Sequence, residues 1–96
     1  MNIGKAIKLI LKKKGMTQKE LSEKTTISET TISLLMKGHT QPRKETLESI
    51  AMALDVKPEF LLFLSLSKED VSKEKQDIYD AIWPQMETTF MNLFVK

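Results

Sequence analysis

Two helix start signals lie close together in the first half of the chain and leave little choice for the structure between them. Thr17 and Glu20 have the T-x-x-E spacing of a capping box, in which each side chain satisfies a backbone N–H group of the first turn. Ser28 is a second N-cap, and the β-branched residues directly before it are unfavourable inside a helix. These signals predict a helix at about residues 18–24, a three-residue turn, and a helix at residues 29–37.

Apolar residues recur at helical spacing on both sides of this pair. In residues 3–14 they share one face while lysines occupy the other, and Gly15 follows where a left-handed C-terminal cap would sit. A fourth apolar stripe begins after Pro42, and a fifth helix opens at Pro58, since proline is favoured at the first helical position. No segment has the sustained alternation of a β-strand. The sequence therefore predicts an all-α chain.

The C-terminal residues 67–96 are predicted to form an amphipathic helical extension of a domain at residues 1–66. Pro84 should kink or divide this extension. Its apolar side chains, with Trp83 among them, need burial either on the same chain or against a second copy, and a homodimer is the favoured alternative. A different protein could also cover them. The stripe that needs burial consists of Val71, Ile78, Ile82, Met86, Phe90 and Leu93.

Composition excludes several classes of function. The chain has no cysteine, so it has no disulfide, thiolate metal site or cysteine nucleophile, and one histidine, His39, cannot hold a metal ion unaided. Three glycines do not form a phosphate-binding loop, and no histidine and carboxylate accompany a nucleophile. No stretch approaches the roughly 20 apolar residues of a membrane span. We therefore expect a cytoplasmic protein that is not an enzyme, needs no cofactor and does not enter a membrane.

Charge is distributed unevenly along the chain. Residues 1–57 contain eleven Lys or Arg and six Asp or Glu, a net charge of +5, whereas residues 58–96 contain four and seven, a net charge of −3. A basic N-terminal part suits a nucleic-acid partner. The lysines at 12–14 have a second explanation, because cations at the C-terminal end of a helix interact favourably with its dipole.

The residues that surround the two start signals resemble the phage repressor and Cro class of helix-turn-helix proteins, also described as xenobiotic response element-like. The resemblance covers roughly residues 3–64. It implies a five-helix DNA-binding domain whose third helix enters the major groove, in a dimer that reads two half-sites. It rests on Thr17, Gln18, Glu20, Leu21, Ser22, Thr25, Thr26, Ile27, Ser28, Thr31, Ile32, Ser33, Leu35 and Gly38, then on Pro42, Glu45, Thr46, Leu47, Ile50, Ala51, Ala53 and Leu54.

Helical geometry places Ile32 and Leu35 toward the core, so the other face of the third helix is predicted to contact DNA. The resemblance implies base contacts for four residues on that face, which are Glu29, Thr30, Ser33 and Leu34. Gln18 and the loop after the third helix would contact the phosphate backbone. For Gln18 and the loop residues the alternative is an ordinary solvated side chain. For Glu29 it is a first-turn acid that the helix dipole favours, and for Leu34 it is an isolated apolar residue on the surface. The predicted DNA-binding residues are Gln18, Glu29, Thr30, Ser33, Leu34, Lys37, Thr40, Gln41, Arg43 and Lys44.

Four positions depart from the usual pattern of the class. Thr26 occupies a turn position that usually favours glycine, and a β-branched residue would be strained there at positive φ. Ser22 stands where alanine is commoner, and its hydroxyl is expected to bond back to its own helix. Leu34 and Met36 make the third helix unusually apolar, and Leu34 is expected to be exposed.

The sequence leaves two hypotheses about function. The first is a sequence-specific regulator of transcription, in particular a repressor, that binds double-stranded DNA as a homodimer. The second is a protein-interaction module of the antitoxin or anti-repressor type, which would use the same fold and the C-terminal helix to bind a protein. The exposed Leu34 and the acidic C-terminal part favour the second hypothesis.

Overall fold

The computed structural model describes residues 1–38 and 40–96, and the regular secondary structure of this part of the chain is all helical, with no strand. The all-α prediction is confirmed, whereas the loop position of His39 lies outside the described residues. Two short 3-10 turns, Lys68–Asp70 and Lys73–Lys75, precede the last helix. The six helices are α1 Ile3–Lys14, α2 Gln18–Lys24, α3 Glu29–Met36, α4 Lys44–Ala53, α5 Pro58–Leu64 and α6 Gln76–Phe94.

The predicted helix ends are present with their side-chain caps. The Thr17 hydroxyl accepts a hydrogen bond from the Glu20 backbone N–H at 3.1 Å, and the Thr17 N–H donates to the Glu20 carboxylate at 3.2 Å. The Ser28 hydroxyl caps α3 by accepting from the backbone of Thr31 at 3.1 Å. Gly15 ends α1 in the left-handed conformation, with φ at 65°. Because these signals are local, the sequence alone located α1 to α3 within a residue of their ends.

One hydrophobic core lies between α1, α3 and α5, with α2 and α4 packed against it. Its fully buried members come from all five of these helices, so each helix contributes its apolar stripe to the same cluster. Burial of a side chain of this size contributes about 1.5–3 kcal/mol relative to exposure. The fully buried large side chains include Ile7, Ile10, Leu21, Ile32, Ile50, Leu54, Leu61 and Leu64.

The turn between α2 and α3 is held by hydroxyl groups. Ser22 Oγ donates to the carbonyl oxygen of Ile27 at 2.8 Å, so the expectation that this hydroxyl would bond within its own helix is wrong. Thr25 Oγ1 accepts from the Ile27 N–H at 3.2 Å. Among the described residues, Asp55 is the one non-glycine residue with positive φ, so Thr26 does not carry the expected strain. Side-chain hydrogen bonds replace the left-handed residue in this turn.

Helix α6 packs on α1 and α5 of the same chain and continues through Pro84 without being divided. Trp83 and Met91 are buried, and Val95, directly after the helix, is also buried. The expected apolar stripe does not match this docked face, since three of its members are exposed: Ile78 by 57%, Ile82 by 47% and Leu93 by 66%. Aromatic side chains determine which face docks.

Those aromatic side chains form one cluster across α5 and α6. The Phe63 ring lies 5.2 Å from the Trp83 ring and 5.3 Å from the Phe90 ring, between centroids. Phe60 contacts Phe94 at 5.4 Å. Large rings bury more surface than aliphatic side chains and prefer such offset or edge contacts. The cluster therefore outweighs the aliphatic stripe in orienting α6.

Polar contacts fasten α6 to α1 at both ends of the shared surface. Lys5 Nζ lies 3.3 Å from the Glu87 carboxylate, and that carboxylate also accepts from Trp83 Nε1 at 2.9 Å. Farther along, Lys13 donates to the Asn92 side chain at 2.6 Å. Part of the basic charge at the end of α1 is thus used within the chain.

The segment between α5 and α6 is fixed by short polar contacts. Lys68 donates to the Asp80 carboxylate at 2.8 Å, and this hydrogen bond and charge raise the pKa of Lys68. The Gln76 side chain donates to the carbonyl oxygen of Val71 at 3.1 Å. Within the described ranges, no helix has the length and apolar character needed to cross a membrane.

Candidate nucleic-acid interface

Helix α3 divides into a buried and an exposed side, as its spacing predicts. Ile32 and Leu35 are exposed by 0% and 2%, and Met36 by 7%, so three apolar side chains fix the helix to the core. The capped start of α3 and the hydroxyl-bonded turn before it hold the helix at its other end. The exposed side is therefore presented by a rigid support.

The exposed side of α3 carries the residues that the sequence predicted. Glu29, Thr30, Leu34 and Lys37 are exposed, and Ser33 is half-buried. Glu29, Ser33 and Lys37 follow one another at intervals of four, so they form one row along the helix, with Thr30 and Leu34 in the adjacent row. Helix α3 ends at Met36, and Lys37 is its C-cap. We call these five residues the reading face.

Burial explains one of the two unusual apolar positions on α3, that of Met36. Leu35 and Met36 both belong to the hydrophobic core, together with Leu11 of α1. Leu34 is exposed by 40%, as expected. One apolar side chain, rather than three, is therefore available to contact a partner on this helix.

The other predicted DNA-binding residues flank the reading face in the chain. Gln18 is half-buried in the first turn of α2, where the backbone N–H groups lack partners within the helix. Thr40, Gln41, Arg43 and Lys44 are exposed, and Arg43 is the N-cap of α4. In the part of the chain that the structure describes, neither Arg43 nor Lys44 takes part in an ion pair. Their charge can therefore act on a ligand.

Two features next to the reading face were not predicted from the sequence. Gly4 of α1 lies so close to the end of α3 that a methyl group there would be 2.6 Å from the carbonyl oxygens of both Leu35 and Met36. A glycine inside a helical pattern is the signal that could have indicated this close approach. Beside this contact, Lys8 and Lys37 line a cleft of about 440 Å³ between α1 and α3. Nothing in the sequence indicated a role for Lys8, because it lies on the polar face of α1 together with other lysines.

Comparison with known families identifies the family to which this chain belongs. The profile of the helix-turn-helix family matches residues 7–61, which is more than half of the chain. The protein belongs to the Cro/C1-type helix-turn-helix family. The resemblance inferred from the sequence is thus confirmed. Neither the curated proteins nor the solved structures compared with the chain gave a match.

Membership of this helix-turn-helix family gives the general activity of the protein. The family consists of DNA-binding regulators, and the matched range includes α2, the turn and α3 in full. The helix-turn-helix protein described here is accordingly a DNA-binding regulator. Proteins of this family are not normally enzymes.

Proposed function

We propose that this helix-turn-helix protein is a sequence-specific transcriptional regulator that reads the major groove of double-stranded DNA with α3. The observation that carries the proposal is the reading face, a largely exposed and mainly polar surface on a helix that is fixed at both ends. A major groove about 12 Å wide admits one such helix. The protein would act in the cytoplasm without a cofactor. Repression is the expected effect, because a protein bound at a promoter excludes other proteins from the same DNA.

The chemistry of the reading face indicates which bases it would contact. Glu29 can accept from the amino group of cytosine, whereas the hydroxyl groups of Thr30 and Ser33 can pair with more than one base. Leu34 can pack on the methyl group of thymine. Phosphate contacts would come from Lys37 and the flanking residues. Those flanking residues are Gln18, Thr40, Gln41, Arg43 and Lys44.

Binding to a library of random duplexes at two salt concentrations tests the proposal. We expect enrichment of one palindromic sequence, because a symmetric dimer reads two equivalent half-sites. Affinity should fall steeply as salt rises, because the protein displaces counterions from DNA phosphates. Folded protein that enriches no sequence at either salt concentration contradicts the proposal.

Removing one hydroxyl from the reading face should reduce specificity. Thr30→Ala is expected to weaken binding to the enriched site by about 1–3 kcal/mol, with little change for unrelated duplexes, if the hydroxyl pairs with a base. Thr88→Ala is the matched control, because Thr88 is also an exposed threonine but lies on α6. Fluorescence anisotropy with both duplexes measures the effect. Equal losses of affinity for the two duplexes would mean that the Thr30 hydroxyl does not contact a base.

A homodimer would form through the exposed part of α6. Ile78 and Ile82 lie on a groove of about 300 Å³ with Val71 and Met86, and the isoleucines are still about half exposed after α6 has docked on its own chain. An isologous interface buries the same patch on both subunits, so one apolar patch suffices. Association through this patch would bring two reading faces into one complex.

Polar substitution of this patch tests the dimer. Changing Ile78 and Ile82 together to serine is expected to shift the protein from dimer to monomer in analytical ultracentrifugation and to weaken binding to the palindromic site. Leu93→Ser is the control, since Leu93 is an exposed apolar residue toward the other end of α6. An unchanged dimer in the double variant, or a monomer in the control, would place the interface elsewhere.

A protein-interaction module of the antitoxin or anti-repressor type is the second candidate. Exposed Leu34 on α3 favours it, since an apolar side chain at 40% exposure is suited to a protein surface as well as to thymine. The duplex library distinguishes the candidates. Folded protein without sequence preference would favour a protein partner that contacts Leu34 or the exposed side of α6.

A further inference from the structure

We propose that Lys8 of α1 and Lys37 at the end of α3 together hold a phosphate of the DNA backbone in the cleft between their two helices. The inference rests on the proposed function and adds α1 to the DNA-binding surface, which the sequence had confined to α2, α3, the loop after α3 and the start of α4. We call this cleft the α1/α3 cleft. It has a volume of about 440 Å³ and is lined by Asn2, Lys5, Lys8, Leu9, Met36 and Lys37.

All the charged side chains that line the α1/α3 cleft are positive. Three of its six lining residues are lysines, and no described acidic side chain lines it. Lys5 is already engaged, because its ammonium group lies 3.3 Å from the Glu87 carboxylate and 5.6 Å from the centre of the Trp83 ring. Lys8 and Lys37 are exposed and take part in none of the ion pairs among the described residues. These two cations favour an anion between them.

The position of the α1/α3 cleft points to DNA as the source of that anion. Lys37 continues the row of Glu29 and Ser33, so the cleft adjoins the C-terminal end of the reading face. A helix in the major groove has sugar-phosphate backbone along both sides of it. A cleft at the edge of the reading face therefore meets phosphate rather than bases. Lysine suits this contact because its ammonium group is a compact point charge with three donors.

The close packing of α1 on α3 makes the pair of lysines a fixed site. The absence of a side chain at Gly4 lets the backbone of α1 approach the carbonyl oxygens of Leu35 and Met36. Lys8 lies one helical turn from Gly4, and Lys37 directly follows Met36. Since both helices are held in place, only the two side chains lose freedom on binding, which lowers the entropic cost of the contact.

The experiment compares the salt dependence of DNA binding for single lysine variants. Lys8→Gln removes one charge from the α1/α3 cleft, and Lys12→Gln removes one exposed charge from the same helix outside the cleft. Because each protomer on the DNA contributes its own Lys8, we expect Lys8→Gln to reduce the slope of log K against log salt by about 0.9 for each bound protomer, on specific and unrelated duplexes alike. Each such reduction corresponds to about eightfold weaker binding at 0.1 M salt if the two proteins bind equally at 1 M.

Lys37→Gln and the double variant complete the test. If the two lysines share one phosphate, the double variant should lose less affinity than the sum of the two single losses. Circular dichroism confirms that each variant is folded. A slope for Lys8→Gln equal to that of the wild type, or equally reduced slopes for Lys8→Gln and Lys12→Gln, overturns the inference while leaving the proposed function intact. A wild-type protein that binds no duplex overturns the proposed function and this inference together.

Discussion

Trp83→Ala is expected to lower the free energy of unfolding by about 3–5 kcal/mol, the usual cost of removing a large buried aromatic side chain. The Trp83 side chain is only 9% exposed, and its ring lies 5.2 Å from Phe63 and 5.3 Å from Tyr79. Its Nε1 also donates to Glu87, which pairs with Lys5 of α1. One substitution thus removes the centre of the aromatic cluster and a hydrogen bond within α6 that orients the Glu87 carboxylate toward Lys5 of α1.

Urea unfolding followed by far-UV circular dichroism measures this loss. Leu93→Ala is the matched control, because Leu93 is an apolar residue of the same helix that is 66% exposed and lies outside the proposed dimer patch. The control should change stability by about 0.5 kcal/mol or less, as exposed positions usually do. A loss below about 1 kcal/mol for Trp83→Ala would indicate that α6 is not docked in solution, since removal of a well-packed buried ring typically costs about 3–5 kcal/mol.

A large effect of Trp83→Ala would also show why α6 cannot be regarded as an appendage. Met91 and Val95 belong to the same hydrophobic core as α1 and α5. Detaching α6 would expose these contacts together with Phe60 and Phe63. A domain of this size has a net stability of only about 5–15 kcal/mol. We therefore expect the DNA-binding helices and α6 to unfold in one transition.

The local parts of the fold were predictable from the sequence because each depends on residues a few positions apart. The capping box of Thr17 and Glu20, the Ser28 cap and the left-handed Gly15 each define a helix end without reference to the rest of the chain. Helical spacing was sufficient to separate the buried from the exposed side of α3. The exposure of the reading face was predictable for the same reason.

Features that depend on contacts between distant residues were not predictable from periodicity. The spacing of α6 favoured a stripe that contains Ile78 and Ile82, yet the docked face is the one whose rings match Phe60 and Phe63 of α5. The Ser22 hydroxyl also found its acceptor across the turn rather than in its own helix. Both the docked face of α6 and the acceptor of the Ser22 hydroxyl depend on side chains and backbone groups of another element. The apolar spacing within one helix contains no information about those groups.

Gly4 is the position where such a distant contact should have the greatest consequence for DNA binding. In Gly4→Ala, the added methyl group would lie 2.6 Å from the backbone carbonyl oxygens of Leu35 and Met36, so α1 and the end of α3 must separate. We expect a loss of about 1–3 kcal/mol from overpacking, reduced by the better helix propensity of alanine. Because α3 carries the reading face, its displacement should also reduce the preference for the specific site over unrelated DNA.

Gly15→Ala separates the effect on α3 from a general loss of stability. Gly15 has φ at 65° with no atom within 4 Å of an added methyl group, so alanine there strains the backbone but does not press on another helix. Both variants should unfold at lower urea concentrations than the wild type, whereas only Gly4→Ala should lose specificity in anisotropy measurements with specific and unrelated duplexes. Equal specificity in the two variants would mean that α3 keeps its position when α1 moves. The contact at Gly4 would then serve stability alone, and the support of the reading face would lie in its buried residues Ile32, Leu35 and Met36.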